Sequence, residues 1–198
     1  MSRIYKIVLG LLIFPLLLAM ENALERSVLA VKLEDSSYII IHGATNINQF
    51  ECNYATLNTE DTIHVQVDKL QGKVFFDQTK LEIRTTSFDC GSRLMNRDFE
   101  ELLSADQFPY IDIKLNSVTV YDEGQARVKA DVLIQGKRNT YEIPVAYQIL
   151  AENQVYQGVL SLNIRDFEIE PPKKMFGMVT VDEMINIEFG LVVKVETT

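Results

Sequence analysis

Tryptophan is absent from this chain, and histidine and cysteine occur only twice each. The shortage of histidine removes most of the chemistry that a small chain can carry. His42 and His64 cannot build a zinc site without a third ligand, and no pattern places them together. A Ser-His-Asp or Cys-His arrangement lacks support for the same reason. Cys52 and Cys90 have no CxxC spacing, which argues against a dithiol redox motif. The 28 acidic residues give many accidental pairs, and no spacing marks one pair out for acid-base work. The expectation is no catalytic residue, no metal and no cofactor. Basic clusters are missing too, and the formal charge is −9. An acidic chain is not drawn to nucleic acid or to an anionic bilayer. Linkers, repeats and low-complexity segments are also lacking, which favours one domain.

What is present begins with a leader. Arg3 and Lys6 precede an apolar run from Ile7 to Leu18, broken only by Gly10 and Pro15. That run is too short to cross a bilayer comfortably and suits the core of a signal peptide. Ala19 and Ala23 are both small enough for the last leader position, and no cysteine follows to take a lipid anchor. Residues 1–23 are therefore read as an export signal cleaved after 19 or 23, and 24–198 as the domain. The alternative is an uncleaved signal anchor. Export means a periplasmic or secreted location, where a lone pair of cysteines reads as a disulfide. Bridging Cys52 to Cys90 closes a loop of 38 residues.

The dominant period along the domain is two. Thr62–Asp68, Ile111–Asn116, Arg127–Val132, Leu160–Ile164 and Ile185–Phe189 each alternate polar with apolar, as strands with one wet face do. Further strands are expected at Ser37–His42, Lys80–Thr86, Val118–Tyr121 and Tyr141–Leu150. Turn signals fall at 121–124, 135–139 and 151–153. The fold class is all-β, an antiparallel lipocalin-like barrel of about eight strands with one short helix. That helix is placed at Asp98–Leu103, with Asp98 as its cap, Glu101 completing a capping box, and Phe99, Leu102 and Leu103 on the buried side. The second face of the strands is apolar and nearly free of charge. It either fills the barrel or lines a ligand pocket.

Several candidates flank that interior. Arg97-Asp98 and Arg165-Asp166 each precede a phenylalanine. Arg97 or Arg165, with Arg93 as a weaker third, would neutralise a ligand headgroup at the barrel mouth. Helix capping and a rim salt bridge are the plainer reading. The run Glu170–Met178 is read as a loop in which Phe176 and Met178 either form a lid over an apolar cavity or simply pack. Asn46 and Asn48 are read as turn formers bonded to nearby backbone.

Short motifs occur in a telling order: Gly43-Ala44-Thr45-Asn46-Ile47-Asn48 with Phe50-Glu51-Cys52, Met95-Asn96-Arg97-Asp98-Phe99, Phe108-Pro109-Tyr110-Ile111, and Leu133-Ile134-Gln135-Gly136 leading to Ile143-Pro144-Val145. Asn163-Ile164-Arg165-Asp166-Phe167 and Val181-Asp182-Glu183-Met184 follow. Together they resemble the YceI-like family of exported proteins. The resemblance implies an extended lipocalin-like barrel with a helix at one end. In some members it also implies a polyisoprenoid held inside. The chain departs from better-known members in carrying the cysteine pair and in showing Asp35-Ser36-Ser37-Tyr38 where they have an Asp-x-x-His-Ser-like opening.

The functional expectation is an exported binding protein holding an apolar or amphiphilic molecule, with a hydrophobic or isoprenoid small molecule as partner. A ligand-free structural or interaction protein of the envelope is the alternative, and a hydrolase using mouth carboxylates is the least supported. Homo-oligomers are compatible with all three. The cysteine reading is directly testable: thiol labelling of the exported, unreduced protein should find no free thiol, and two reactive thiols would refute the bridge.

Overall fold

The computed structural model describes residues 25–54, 57, 63–70, 73–77, 79–174 and 178–196. The leader expected at 1–23 lies outside the described residues. In chain order the strands begin with β1 (Glu25–Leu33), β2 (Tyr38–Ala44), β3 (Gln49–Tyr54), β4 (Ile63–Leu70), β5 (Lys73–Asp77), β6 (Lys80–Arg84) and β7 (Phe88–Asp89). Helix α1 (Arg93–Leu102) follows. The remainder are β8 (Tyr110–Asp122), β9 (Gln125–Ile134), β10 (Lys137–Leu150), β11 (Asn153–Asn163), β12 (Lys173–Lys174), β13 (Val179–Thr180) and β14 (Met184–Glu196).

Strands β1-β4-β5-β8-β9-β10-β11-β14 form an antiparallel ring that closes through the β1–β14 pairing. Val193–Glu196 of β14 pair with β1, while Asn186–Gly190 pair with β2. Strands β1 and β2 are thus two parts of one long stave, bent at Glu34–Ser37. The bend is held by Val192, whose carbonyl accepts from the Glu34 N–H at 2.9 Å and whose N–H donates to Ser37 Oγ at 2.9 Å. β5 and β6 similarly share β8 as partner. Among the described residues, the expected barrel of about eight strands with one short helix is what the chain forms.

Alternation decides which side faces in. Along β9, Ala126, Ala130, Val132 and Ile134 are buried while Arg127 and Lys129 are exposed. Gln135 and Gly136, both at positive φ (48° and 76°), join β9 to β10 in a two-residue turn whose twist matches the strands. Tight turns at Glu123-Gly124 and Ala151-Glu152 define one end of the barrel, here the hairpin end. The opposite helix end carries α1, the Gln135-Gly136 turn and a 3-10 turn at Ile164–Phe167.

Three local expectations need correction. The helix starts five residues before Asp98. Ser92 caps it by accepting the Met95 N–H at 3.2 Å, so Asp98 falls mid-helix and Glu101 pairs with Arg97 instead of closing a capping box. The helix ends with Ser104 in the left-handed region (φ 49°) and the Ala105 N–H bonded to the Glu100 carbonyl at 2.9 Å. Phe99 and Leu102 pack on the core and Leu103 is buried, as expected. Residues 49–54, outside the expected strands, are strand β3. Its Phe50 ring lies over Gly43 of β2, where any side chain would collide with it. Asn46 does not bond locally: its Nδ2 donates to the Met178 carbonyl at 2.9 Å and its Oδ1 accepts from the Thr180 N–H at 3.0 Å.

Cys52 and Cys90 are bridged, 38 residues apart. The bridge joins β3 to the segment just before the Ser92 cap, and the Cys90 N–H donates to Asn96 Oδ1 of the helix at 2.7 Å. Constraining the unfolded chain by this loop is worth about 3–4 kcal/mol. Replacing both cysteines by serine should lower the unfolding free energy by roughly that amount in denaturant titrations. A change within experimental error would show that the bridge adds nothing.

Candidate functional site

The interior is packed unevenly. On β9, β10 and β11 the helix-end residues Val132, Ile143, Leu160 and Leu162 are buried, and Ile164 and Phe167 of the 3-10 turn close over them. The inward face of β14 differs. Ile185, Ile187, Phe189, Leu191 and Val193 all face the ring's interior, yet each keeps part of its surface accessible. Ile111 and Ile113 of β8 behave alike. A side chain against a filled core loses nearly all accessible surface, so these residues are less tightly covered than their counterparts on β9, β10 and β11. At the hairpin end the inward positions Leu29, Val120 and Ile149 are 37%, 47% and 68% exposed, while Ala126 and Val67 at the same end are buried.

Gly158 makes room for a neighbouring ring. Its hydrogen faces Phe189 directly across the β11–β14 ladder, and a Cβ there would come within 2.7 Å of the ring. Farther toward the hairpin end the wall turns polar. Tyr147 and Tyr156 are opposite one another on β10 and β11, their rings stacked 6.4 Å apart. The Tyr156 hydroxyl donates to Gln154 Oε1 at 2.5 Å. Burial, followed by the neighbouring Tyr147, raises the Tyr156 pKa above its ordinary value. This trio is absent from the sequence expectations. The signal was the strand phase: Val145 and Leu160 fix the inward side of their strands, and counting by twos reaches Tyr147, Tyr156 and Gln154.

The residues singled out from sequence sit elsewhere. Arg97 projects from α1, is 76% exposed, and bonds Glu101 at 2.8 Å. Arg165, on the 3-10 turn, pairs with Glu183 and, at 3.2 Å, with Glu170. These carboxylates push both guanidinium pKa values further up. The two arginines thus belong to separate ion-pair sets at the helix end. Met178 is 65% exposed beside the β12–β13 hairpin, and Phe176 lies outside the described residues. His42 faces outward between Glu51 and Glu188, each 3.3 Å away, with Tyr38 also donating to Glu188 at 3.1 Å. The His64 side chain is outside the described residues. Among those described, no three metal-binding side chains gather.

This combination of a closed eight-stave ring, an apolar interior and a helix-covered end has relatives. The YceI-like domain family matches residues 38–193. The chain belongs to that family. Among solved structures, this YceI-like barrel is similar to BcnA of Burkholderia cenocepacia, with a TM-score of 0.57 and 17% identity over 79% of this chain and 95% of that one. It is also similar to the YCEI protein of Campylobacter jejuni, with a TM-score of 0.52 and 11% identity over 68% of this chain and 81% of that one. At these identities the likeness establishes the shared fold. No curated protein matches the chain in sequence.

The raised Tyr156 pKa gives the YceI-like barrel a testable alkaline signature. Its protonated form is favoured by folding. The contribution is therefore complete below the ordinary tyrosine value of 10.0 and is lost as pH climbs through the higher folded value. Tyr156→Phe should remove part of the alkaline decline in stability, measured by denaturant melts on either side of that pH. An unchanged alkaline slope would place the hydroxyl in water.

Proposed function

We propose that this protein is an exported carrier that holds an apolar or amphiphilic molecule inside its barrel without transforming it. One observation carries the reading: the inward-phase apolar side chains of β14 keep part of their surface accessible although the ring is closed. Such a wall needs no special motif for affinity, because each buried methylene is worth about 0.8 kcal/mol before the costs of association. A long hydrocarbon or polyisoprenoid chain suits the shape, since the half-buried apolar stripe follows β14 for most of its length. Membership of the YceI-like family supports the same reading. The leader at 1–23 supports delivery to the periplasm or beyond. The sealed wall of β9–β11 at the helix end favours a second reading in part, a barrel filled by its own side chains there, so the ligand space is assigned to the β14 and β8 side.

The absence of tryptophan makes a clean test available. Leu191→Trp places a single indole on the inward face of β14. Addition of a long-chain probe carrying bromine should quench its emission. Lengthening the probe by two carbons should tighten binding about tenfold until the interior is filled. Native mass spectrometry of protein from its natural host, followed by organic extraction, should release a lipid. A protein that yields no lipid and takes up no hydrophobic probe would overturn the carrier and leave a structural barrel.

A further inference from the structure

Alternation breaks at one end of the barrel. On a strand with one wet face, an inward apolar residue is followed by an outward polar one. Three strands depart from this near the hairpin end, with Val28-Leu29 on β1, Val120-Tyr121 on β8 and Ile149-Leu150 on β10. Leu29, Val120 and Ile149 have the inward phase. Val28, Tyr121 and Leu150 point outward and are 60%, 57% and 56% exposed. Around the ring these strands are three, two and three steps apart, so the pairs are spread round the whole rim. Single exposed apolar residues need no explanation, but a rim of paired ones marks a surface that something covers.

Cations border these tips on the outer face. Lys73 of β5 and Arg127 of β9 flank Thr119 of β8 at one register. Thr119 is two residues from Tyr121, which sets this pair back along the strand by about 7 Å. Lys73 Nζ lies 5.1 Å from the Phe75 ring centre, and the Arg127 guanidinium 5.9 Å from that of Tyr121. On the other side of the ring, Lys194 of β14 is opposite Lys32 of β1. Carboxylates accompany them: Glu142 is 3.8 Å from Arg127, Glu152 3.4 Å from Lys194 and Glu196 2.9 Å from Lys32. Aliphatic tips, then aromatic rings, then cations on long stems is the layering of a lipid–water interface. The chain also enters the ring here, since Glu25 pairs with Lys69 next to the last residue of β4. A membrane-bound leader containing Ile7–Leu18 therefore presents this end to the bilayer.

We propose that the hairpin end is a docking surface for a zwitterionic phospholipid bilayer. The six apolar tips enter the interface, and the flanking cations and carboxylates meet the phosphate and ammonium groups of the lipid heads. Binding of this kind grows with the apolar area buried in the interface. The formal charge of −9 repels an anionic bilayer and equally a second copy of the chain. The surface is the outer rim, so its role goes beyond the carrier reading and holds whether the interior is loaded or empty.

The test uses residues 24–198, which include every described element, so that the apolar run Ile7–Leu18 cannot bind lipid on its own. Phosphatidylcholine vesicles should carry the protein upward in a flotation gradient. Replacing about a third of the lipid by phosphatidylglycerol should weaken recovery at low salt. Leu150→Ser and Tyr121→Ser should each lower the partition about tenfold. Val159→Ser, at an outward position on β11 that is 48% exposed, should leave it unchanged. Circular dichroism confirms that each variant folds. Both rim substitutions spare the inward side chains, so uptake of a hydrophobic probe should persist, and the two readings can fail separately. No recovery with phosphatidylcholine, or an equal loss with Val159→Ser, would overturn the docking surface. Tighter binding to the phosphatidylglycerol vesicles would overturn it as well. A dimer in sedimentation that Leu150→Ser dissociates would overturn it in favour of an interface between two copies.

Discussion

The short ladder between Ala30–Leu33 and Val193–Glu196 turns a sheet with two faces into a ring with an inside. Every other feature depends on it. An open sheet would expose either the apolar face of β14 or a row of unpaired backbone groups at its edge. Closure solves both problems, and it does so by letting β14 serve two partners in sequence, β1 and then β2. The bend at Glu34–Ser37 is the accommodation this requires. Val192 satisfies the polar groups that the bend would otherwise leave open.

Closure alone does not make a container, and the two ends divide the remaining work. At the helix end, α1, the 3-10 turn and the disulfide concentrate packing, and the Asn46 side chain ties the β2–β3 turn to the β12–β13 hairpin. Surface charge is balanced there by local pairs such as Arg97–Glu101 and Arg165–Glu183. Such exposed pairs contribute little stability and leave the arginines engaged. At the hairpin end the strands run out into tight turns with apolar residues on their inner side, and no element of the described chain crosses the opening. Packing is concentrated at one end of the ring.

Much of this was legible in the sequence, for a physical reason. Strands with one buried face must alternate, so β9, β11 and the first half of β14 announce themselves. Where the burial contrast weakens, the signal fails. β3 has Cys52 as its one fully buried residue, and the adjacent phenylalanines of β5 obscure its phase. The helix start was hidden because Ser92 precedes residues with no apolar period, while Asp98 imitates a cap. Asn46 could not be read at all, since its partners lie more than 130 positions away. The candidate arginines illustrate a different limit. Charge next to aromatics is conspicuous in a sequence, whereas a wall of tyrosine and glutamine becomes visible only when strand phase is followed to the end of each hairpin.

The bridge between Cys52 and Cys90 has a further consequence, for survival of the chain when it is cut. Strands β4 and β5 both lie between the two cysteines. Hydrolysis of any single peptide bond in that interval leaves the flanking pieces joined through sulfur, at the high effective concentration that a tether maintains. A nicked molecule therefore keeps β1 and β14 on one covalent framework and can retain its ring. Only reduction would separate the fragments, so damage to this loop and loss of the barrel become two events instead of one.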